Sequence, residues 1–143
     1  MALTVGTNSW ATVAEADTYF LTRWGASAWA AFTTANKEAQ LITAFNWIQS
    51  QPGLSISAAS TAAVVKKAQY EAAWYIYKYW TSHEKRRAIY AQGVRQFGIS
   101  KFGETIEKTQ FPPWIIEMLS DYTTETGGTF PTVDRDLSNN YGL

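Results

Sequence analysis

The chain has 143 residues, and its 12 basic and 12 acidic side chains give a formal net charge of zero. This length fits one domain that buries about 70% of the surface of the unfolded chain. The balanced charge disfavours the basic surface by which tight duplex-DNA binders release counterions, and the lack of cysteine excludes disulfides and thiolate metal sites. With neither a signal peptide nor an apolar run of membrane-spanning length, we expect no membrane contact and a protein that is made and used in a cytoplasm, or carried in a particle assembled there.

Aromatic residues make up 15% of the chain and include seven Trp and eight Tyr. These side chains combine a large apolar area with a polar group, so they are frequent in cores and in protein interfaces. A near-neutral surface also permits self-association. The composition therefore favours a protein that binds partners.

The first helix is marked by a capping box formed by Thr12 and Glu15. Apolar residues then recur at helical spacing until Gly25, namely Val13, Ala16, Tyr19, Phe20 and Trp24. The segment 27–32 is predicted as a short helical turn.

Two longer helices follow. The second is predicted to begin at Thr33 or Thr34 and to stop at the Gln-Pro-Gly sequence 51–53. The third is predicted from Ala62 to about Trp80 after an N-cap at Ser60 or Thr61, and 81–92 either continues it beyond a kink or forms a polar turn. Small residues should let another helix approach closely, and these are Ala68, Ala72 and Ala73.

The C-terminal third has a different character. Regular glycines between β-branched and aromatic residues predict a β-hairpin or extended arm over 93–110. Pro113 is predicted at the first position of a last helix that runs to Tyr122, and 124–143 is predicted to be extended. The predicted fold is thus mainly α, a small bundle of about four helices with a hairpin over 1–123 and a tail over 124–143.

The sequence offers no catalytic site. The only histidine, His83, stands in a Lys/Arg-rich stretch and is predicted to lie at the surface. No metalloprotease, serine-hydrolase or P-loop motif is present, so we predict no enzyme activity, no cofactor and no metal. Three pairs of nearby carboxylates are interpreted as solvated charge, and these are Glu15/Asp17, Glu104/Glu107 and Asp134/Asp136.

Basic and aromatic residues alternate on the third helix, as in stacking platforms for single-stranded DNA. The candidates for such contacts are Lys66, Lys67, Tyr70, Trp74, Tyr77 and Lys78. However, the aromatic residues at 70, 74 and 77 have the i, i+4, i+7 spacing of a packed helix face. We therefore favour core and subunit-contact roles for them.

The hairpin has two possible roles. It either belongs to the fold of its own chain or adds a strand to a neighbouring copy, because an extended strand leaves backbone groups free to pair. The hairpin residues proposed to face a neighbouring subunit or another protein of the same assembly are Arg95, Phe97, Ile99, Lys101 and Phe102.

Several blocks of sequence together resemble one known family. They are the opening Leu3–Trp10 with Thr12–Phe20, the pair Ala28-Trp29, Lys37–Ala44 with Trp47-Ile48, Val65–Ala73 and Gly93-Val94. Over residues 3–108 the chain resembles head-to-tail connector (adaptor) proteins of tailed bacteriophages, some of which are described instead as DnaT-like single-stranded-DNA-binding proteins. It departs from the family at 51–55, where similar proteins often carry a Trp-Pro-Arg-like stretch, and the part after Phe111 is not matched.

The resemblance implies a virion protein at the head-tail interface that is assembled in the host bacterial cytoplasm and forms a ring under the portal. Such a ring extends the DNA channel and provides the tail attachment surface. The implied partners are the portal protein, neighbouring copies, a tail or head-completion protein, and passing genomic double-stranded DNA without sequence specificity. The C-terminal segment 124–143 would dock on the portal or on a neighbouring copy through Phe130, Pro131, Asp134, Arg135, Tyr141 and Leu143. The hairpin would face a neighbouring copy or the phage tail. The alternative function is a single-stranded-DNA-binding replication accessory protein.

Overall fold

The computed structural model describes residues 2–93, 96–97, 104–105 and 111–124. In this part of the chain the fold is mainly helical, as predicted, and contains four α-helices. The helices are α1 (Val13–Thr22), α2 (Thr34–Gln49), α3 (Ala63–Ala91) and α4 (Pro113–Met118), with 3-10 helices at Ser27–Ala31 and Ser120–Tyr122 and strands β1 (Gln96–Phe97) and β2 (Glu104–Thr105).

The helix starts depend on local chemistry. The predicted capping box is present, because Thr12 Oγ1 accepts a hydrogen bond from Glu15 N at 3.1 Å and Glu15 Oε2 accepts one from Thr12 N at 2.8 Å. Thr33 caps α2 through a bond from Asn36 N at 3.2 Å. The predicted N-cap of α3 at Ser60 or Thr61 is wrong. The N-cap is Ala62, and its backbone N–H donates a hydrogen bond to Ser60 Oγ at 3.3 Å.

The helix ends differ more from the predictions. The backbone leaves the helical region at Arg23, so α1 ends before Trp24. Trp24 is 95% exposed, and the prediction that it extends the apolar face of α1 is wrong. The polar segment after Trp80 continues α3 as a helix of 29 residues in all. Pro113 opens α4 as predicted, but that helix stops at Met118 rather than Tyr122.

The core is centred on the contact between α2 and α3, which is the most extensive contact between two helices in the described residues. The three predicted small residues of α3 are fully buried there, namely Ala68, Ala72 and Ala73. Large side chains from the four α-helices, the 3-10 helix Ser27–Ala31 and the N-terminal segment complete the same cluster, among them Trp10, Trp29, Leu41, Ile48 and Ile115. Burial of such side chains supplies most of the driving force for folding.

A buried glutamine links three parts of this core. Gln69 of α3 donates from Nε2 to Ser9 Oγ and to the carbonyl of Leu41, both at 2.8 Å, and its Oε1 accepts from Trp10 N at 3.0 Å. All four residues are fully buried. The amide therefore fixes the N-terminal segment and α2 against α3 with satisfied hydrogen bonds.

The C-terminal segments are described in part. The strands β1 and β2 pair antiparallel, with Gln96 opposite Thr105 and Phe97 opposite Glu104, inside the segment predicted as a hairpin. Ser55 N donates to the carbonyl of Tyr122 at 2.9 Å and Thr124 N to that of Gly53 at 2.8 Å, which fixes the end of the helical body. The hairpin turn and the tail 125–143 lie outside the described residues, so the proposed domain boundary stays a prediction.

Candidate functional site

A groove of about 550 Å³ runs along one face of α3, and we call it the α3 groove. Its lining residues on α3 recur every three or four positions from Glu71 to Arg86, which places them on one stripe of the helix. Arg23, just after α1, and Trp114 of α4 complete the walls. The volume is in the range of a small-molecule site.

Cations and aromatic rings lie together in this groove. Lys78 Nζ lies 5.9 Å from the ring centroid of Trp74, and Arg23 Cζ lies 5.6 Å from the same ring. Both distances allow cation–π attraction. Tyr79 of α3 is 51% exposed and Trp114 of α4 is 43% exposed, so two further rings are accessible to a ligand.

Glu71 is the one carboxylate among the described residues that line the groove, and its neighbours compensate its charge. Arg23 binds Glu71 with two hydrogen bonds, from Nε at 2.7 Å and Nη2 at 2.9 Å, and the Tyr19 hydroxyl donates to Glu71 Oε1 as well. Burial and the adjacent carboxylate raise the pKa of Tyr19 well above its usual value. The bidentate pair raises the pKa of Arg23. Among the described lining residues cations outnumber carboxylates, since Lys78 and Arg86 also belong to the lining.

The prediction that His83 lies at the surface is wrong. It lines the groove but is only 6% exposed. Its ring stacks on Trp80 with centroids 5.1 Å apart and meets Trp47 of α2 at 5.2 Å. Burial lowers the pKa of His83, as do the cations Arg87 and Arg86, while Glu84 raises it. Within the described residues its buried Nδ1 has no hydrogen-bond partner.

A second candidate surface lies at the end of α1, and we call it the α1 cleft. This cavity of about 420 Å³ is lined by apolar side chains, among them Phe20, Leu21 and Trp29. Leu21 is 81% exposed, and the almost fully exposed Trp24 follows it in the chain. The lining residues Asp17 and Lys37 form an ion pair at 2.9 Å.

The residues predicted for single-stranded DNA do not form one surface. Trp74 and Lys78 line the α3 groove. In contrast, Lys66 Nζ pairs with Glu15 Oε1 at 2.6 Å and Tyr70 is buried in the core. Tyr77 is exposed, although its ring lies 4.7 Å from that of Phe32. The exposed Lys67 is not among the groove residues.

The carboxylates Glu15 and Asp17 are partly solvated, with 42% and 44% of their side chains exposed. Each also forms an ion pair, which the interpretation as solvated charge did not include: Glu15 pairs with Lys66 and Asp17 with Lys37. Asp17 Oδ1 also accepts a hydrogen bond from Trp29 Nε1 at 2.8 Å. Hydrogen bonding to Lys66 and Thr12 lowers the pKa of Glu15. The two carboxylates therefore hold helices together.

The remaining candidates lie outside the described residues. They are Arg95, Ile99, Lys101 and Phe102 of the hairpin and Phe130, Pro131, Asp134, Arg135, Tyr141 and Leu143 of the tail. Phe97 is described only by its backbone pairing in β1. Their proposed contacts stay predictions.

Sequence reasoning did not assign several residues of the α3 groove to a site, namely Arg23, His83, Arg86 and Trp114. The four-residue spacing of Trp74, Lys78, Ser82 and Arg86 was the one signal that could have shown the stripe on α3. Nothing in the sequence indicated that Arg23 and Trp114 would meet it.

Two further observations concern the described part of the chain. Among these residues there is no group of three potential metal ligands of the His, Cys, Asp or Glu type. No helix in the described ranges has both the length and the apolar character needed to cross a bilayer.

Comparison of the chain with protein-family models, with curated proteins and with solved structures finds no match.

Proposed function

We propose that the chain is a structural virion protein, a head-to-tail adaptor that forms a ring under the portal. The observation that carries this proposal is the exposed apolar surface at the end of α1. Leu21 is 81% and Trp24 95% exposed on a domain that encloses its other described tryptophans much more fully. An exposed leucine at an apolar cleft, with an exposed tryptophan three residues further along the chain, is typical of a protein-protein contact.

The resemblance of residues 3–108 to the connector family supports the same proposal. In the ring, the α1 cleft contacts the portal or a neighbouring copy, and the hairpin and tail supply further contacts. A protein of the phage tail, or a head-completion protein, binds the opposite side of the ring. The zero net charge of the chain suits a channel through which double-stranded DNA slides, because a strongly basic lumen would retain it.

Quantitative mass spectrometry of purified, DNA-filled particles tests the location, with the portal protein as the internal standard. We expect a fixed ratio of this chain to the portal. Absence from particles, with abundant protein in the infected-cell lysate, would contradict the adaptor function.

Co-sedimentation with purified portal tests the contact surface. Replacing the exposed ring by Trp24→Ser should weaken portal binding at least roughly tenfold, since central tryptophans dominate interface energies. Val64→Ser is the matched control, because Val64 is also an exposed apolar residue but lies at the start of α3. Equal effects of the two substitutions would argue against the α1 surface.

The alternative, single-stranded-DNA binding by a replication accessory protein, has one observation in its favour. Trp74 and Lys78 share the α3 groove. The other predicted contacts on this helix are weakened as candidates, because Tyr70 is buried and Lys66 is ion-paired. A steep dependence of oligonucleotide binding on salt concentration would support this alternative.

A further inference from the structure

We infer that two copies of the chain pair in solution, each placing its Trp24 ring in the α1 cleft of the other. The inference deepens the proposed function and rests on it in one respect, the role of the α1 cleft as a contact surface between proteins. It goes further by naming the occupant of the cleft, which is a second copy of the same chain.

Trp24 is held on a tight turn that follows α1. Ala26 N donates to the carbonyl of Arg23 at 3.3 Å, which leaves Trp24 and Gly25 at the two central positions of the turn. Gly25 has a φ of +82°, and a type II turn requires a positive φ at this position. A fixed backbone therefore presents the exposed ring, so less conformational entropy is lost when the ring binds.

The ring and the cleft lie next to each other on the same copy. Leu21 and Ala26, on either side of Trp24 in the chain, both line the cleft, and the Cα atoms of Trp24 and Ala26 are at most about 7.6 Å apart. A two-fold axis beside the turn can therefore bring both rings to both clefts at once. Such isologous contacts are the commonest among soluble homo-oligomers, and with zero net charge the copies do not repel each other.

The cleft has the surface and the acceptor that an indole ring requires. Its apolar lining includes Phe20, Leu21 and Trp29, against which a second ring can pack. Asp17, which also lines the cleft, accepts a hydrogen bond from Trp29 Nε1 at 2.8 Å and pairs with Lys37 Nζ at 2.9 Å, in both cases through Oδ1. A carboxylate has about four acceptor sites, and 44% of the Asp17 side chain is exposed. The indole N–H of a second copy can therefore bind the same carboxylate.

The area of the contact determines the strength of the pair. A buried tryptophan contributes about 150–250 Å², so two exchanged rings contribute roughly 300–500 Å². A standard stable interface buries about 1,600 Å² in total, and weak, transient contacts are smaller. We therefore expect a reversible pair with a dissociation constant on the order of 0.1 mM.

Sedimentation equilibrium of the full chain, from about 10 µM to about 1 mM, tests the inference. Trp24→Ser removes the ring, and Ala30→Glu places a charge at an exposed position of the cleft lining. Each should weaken pairing at least roughly tenfold, because a two-fold pair contains each substitution twice. Ala31→Glu is the matched control, since Ala31 is the next residue of the same 3-10 helix, is exposed and is not among the cleft residues. Thermal unfolding of each variant confirms that it is folded.

A mixture of the two variants tests the exchange of rings directly. Trp24→Ser keeps its cleft and Ala30→Glu keeps its ring, so a mixed pair regains one of the two contacts. The mixture should therefore associate more strongly than either variant alone.

The inference is overturned if the chain stays monomeric up to about 1 mM, if Ala31→Glu weakens pairing as much as Ala30→Glu, or if mixing restores no association. A monomeric chain that binds the portal through Trp24 would assign the surface to the portal instead. None of these outcomes depends on the ratio of the chain to the portal in particles. Failure of the pairing and failure of the adaptor function can therefore be told apart.

Discussion

The two halves of α3 have different tasks. From Ala63 to Ile76 the helix is largely buried and contains Gln69, whose polar atoms bond the N-terminal segment and α2. From Tyr77 to Ala91 the one buried residue of the helix is His83, whose Nδ1 has no described partner. One continuous helix thus provides the centre of the core at one end and a largely exposed face at the other.

The largest expected effect falls in the first half. Gln69→Leu would leave Trp10 N without a partner in the core, which costs about 1–3 kcal/mol. It would also remove the hydrogen bonds to Ser9 Oγ and the Leu41 carbonyl, each worth about 0.5–1.5 kcal/mol, although Ser9 Oγ keeps its bonds to Ala11. We therefore expect the free energy of unfolding to fall by roughly 4 kcal/mol, as measured by urea denaturation. The control is Gln92→Leu at the exposed end of α3, which should change stability by about 0.5 kcal/mol or less. Similar effects at 69 and 92 would refute the contrast between the two halves.

A smaller effect is expected at Glu71, which lies within the first half of α3. Glu71→Gln removes the charge that Arg23 contacts with two hydrogen bonds. Breaking a buried pair costs about 3–5 kcal/mol, but Arg23 is partly exposed to solvent, so we expect a loss of roughly 2 kcal/mol in thermal or urea unfolding. Glu84→Gln, an exposed carboxylate of the second half, serves as the control. A loss below that of Glu84→Gln would show that the pair adds nothing to stability.

The smallest expected effect is on the pH dependence of stability, and it comes from His83 in the second half of α3. Burial lowers the pKa of His83 in the folded protein from its ordinary value of 6.5. The unfolded chain therefore binds the proton first, and stability decreases as pH falls below about 6.5 towards the folded pKa. His83→Phe should remove this part of the pH dependence, measured as the urea midpoint between pH 7 and pH 5. The ion-paired Glu15 and Asp17 act at lower pH, since their pKa values fall below 4.5 and 3.8. An unchanged slope in the variant would contradict the lowered pKa.

Local signals in the sequence predicted much of the fold. The capping box of Thr12 and Glu15 and the proline at position 113 determine helix starts through neighbouring backbone groups, and both are present. Spacing likewise predicted the buried alanines of α3. Such features involve residues within a few positions of each other, so tertiary context did not override them.

The predictions failed where contacts between residues that are distant in the sequence determine the structure. Four charged residues follow His83, and this polar surrounding concealed its position on the face towards Trp47. Trp24 continued the helical spacing, but the backbone turns at Arg23 and the ring is exposed. The α3 groove needs Arg23 and Trp114 from opposite ends of the described chain. No periodicity within one helix can predict such a meeting.

The short pairing of residues 53–55 with 122–124 has a geometric consequence for the tail. It fixes a tether point on the helical body, beside the loop that follows α2. A chain extends at most about 3.4 Å per residue, so Phe130 lies within roughly 20 Å of Thr124. Leu143 has a limit of about 65 Å. The first proposed anchor must therefore find its contact near its own domain, whereas the last has enough reach to cross a neighbouring copy.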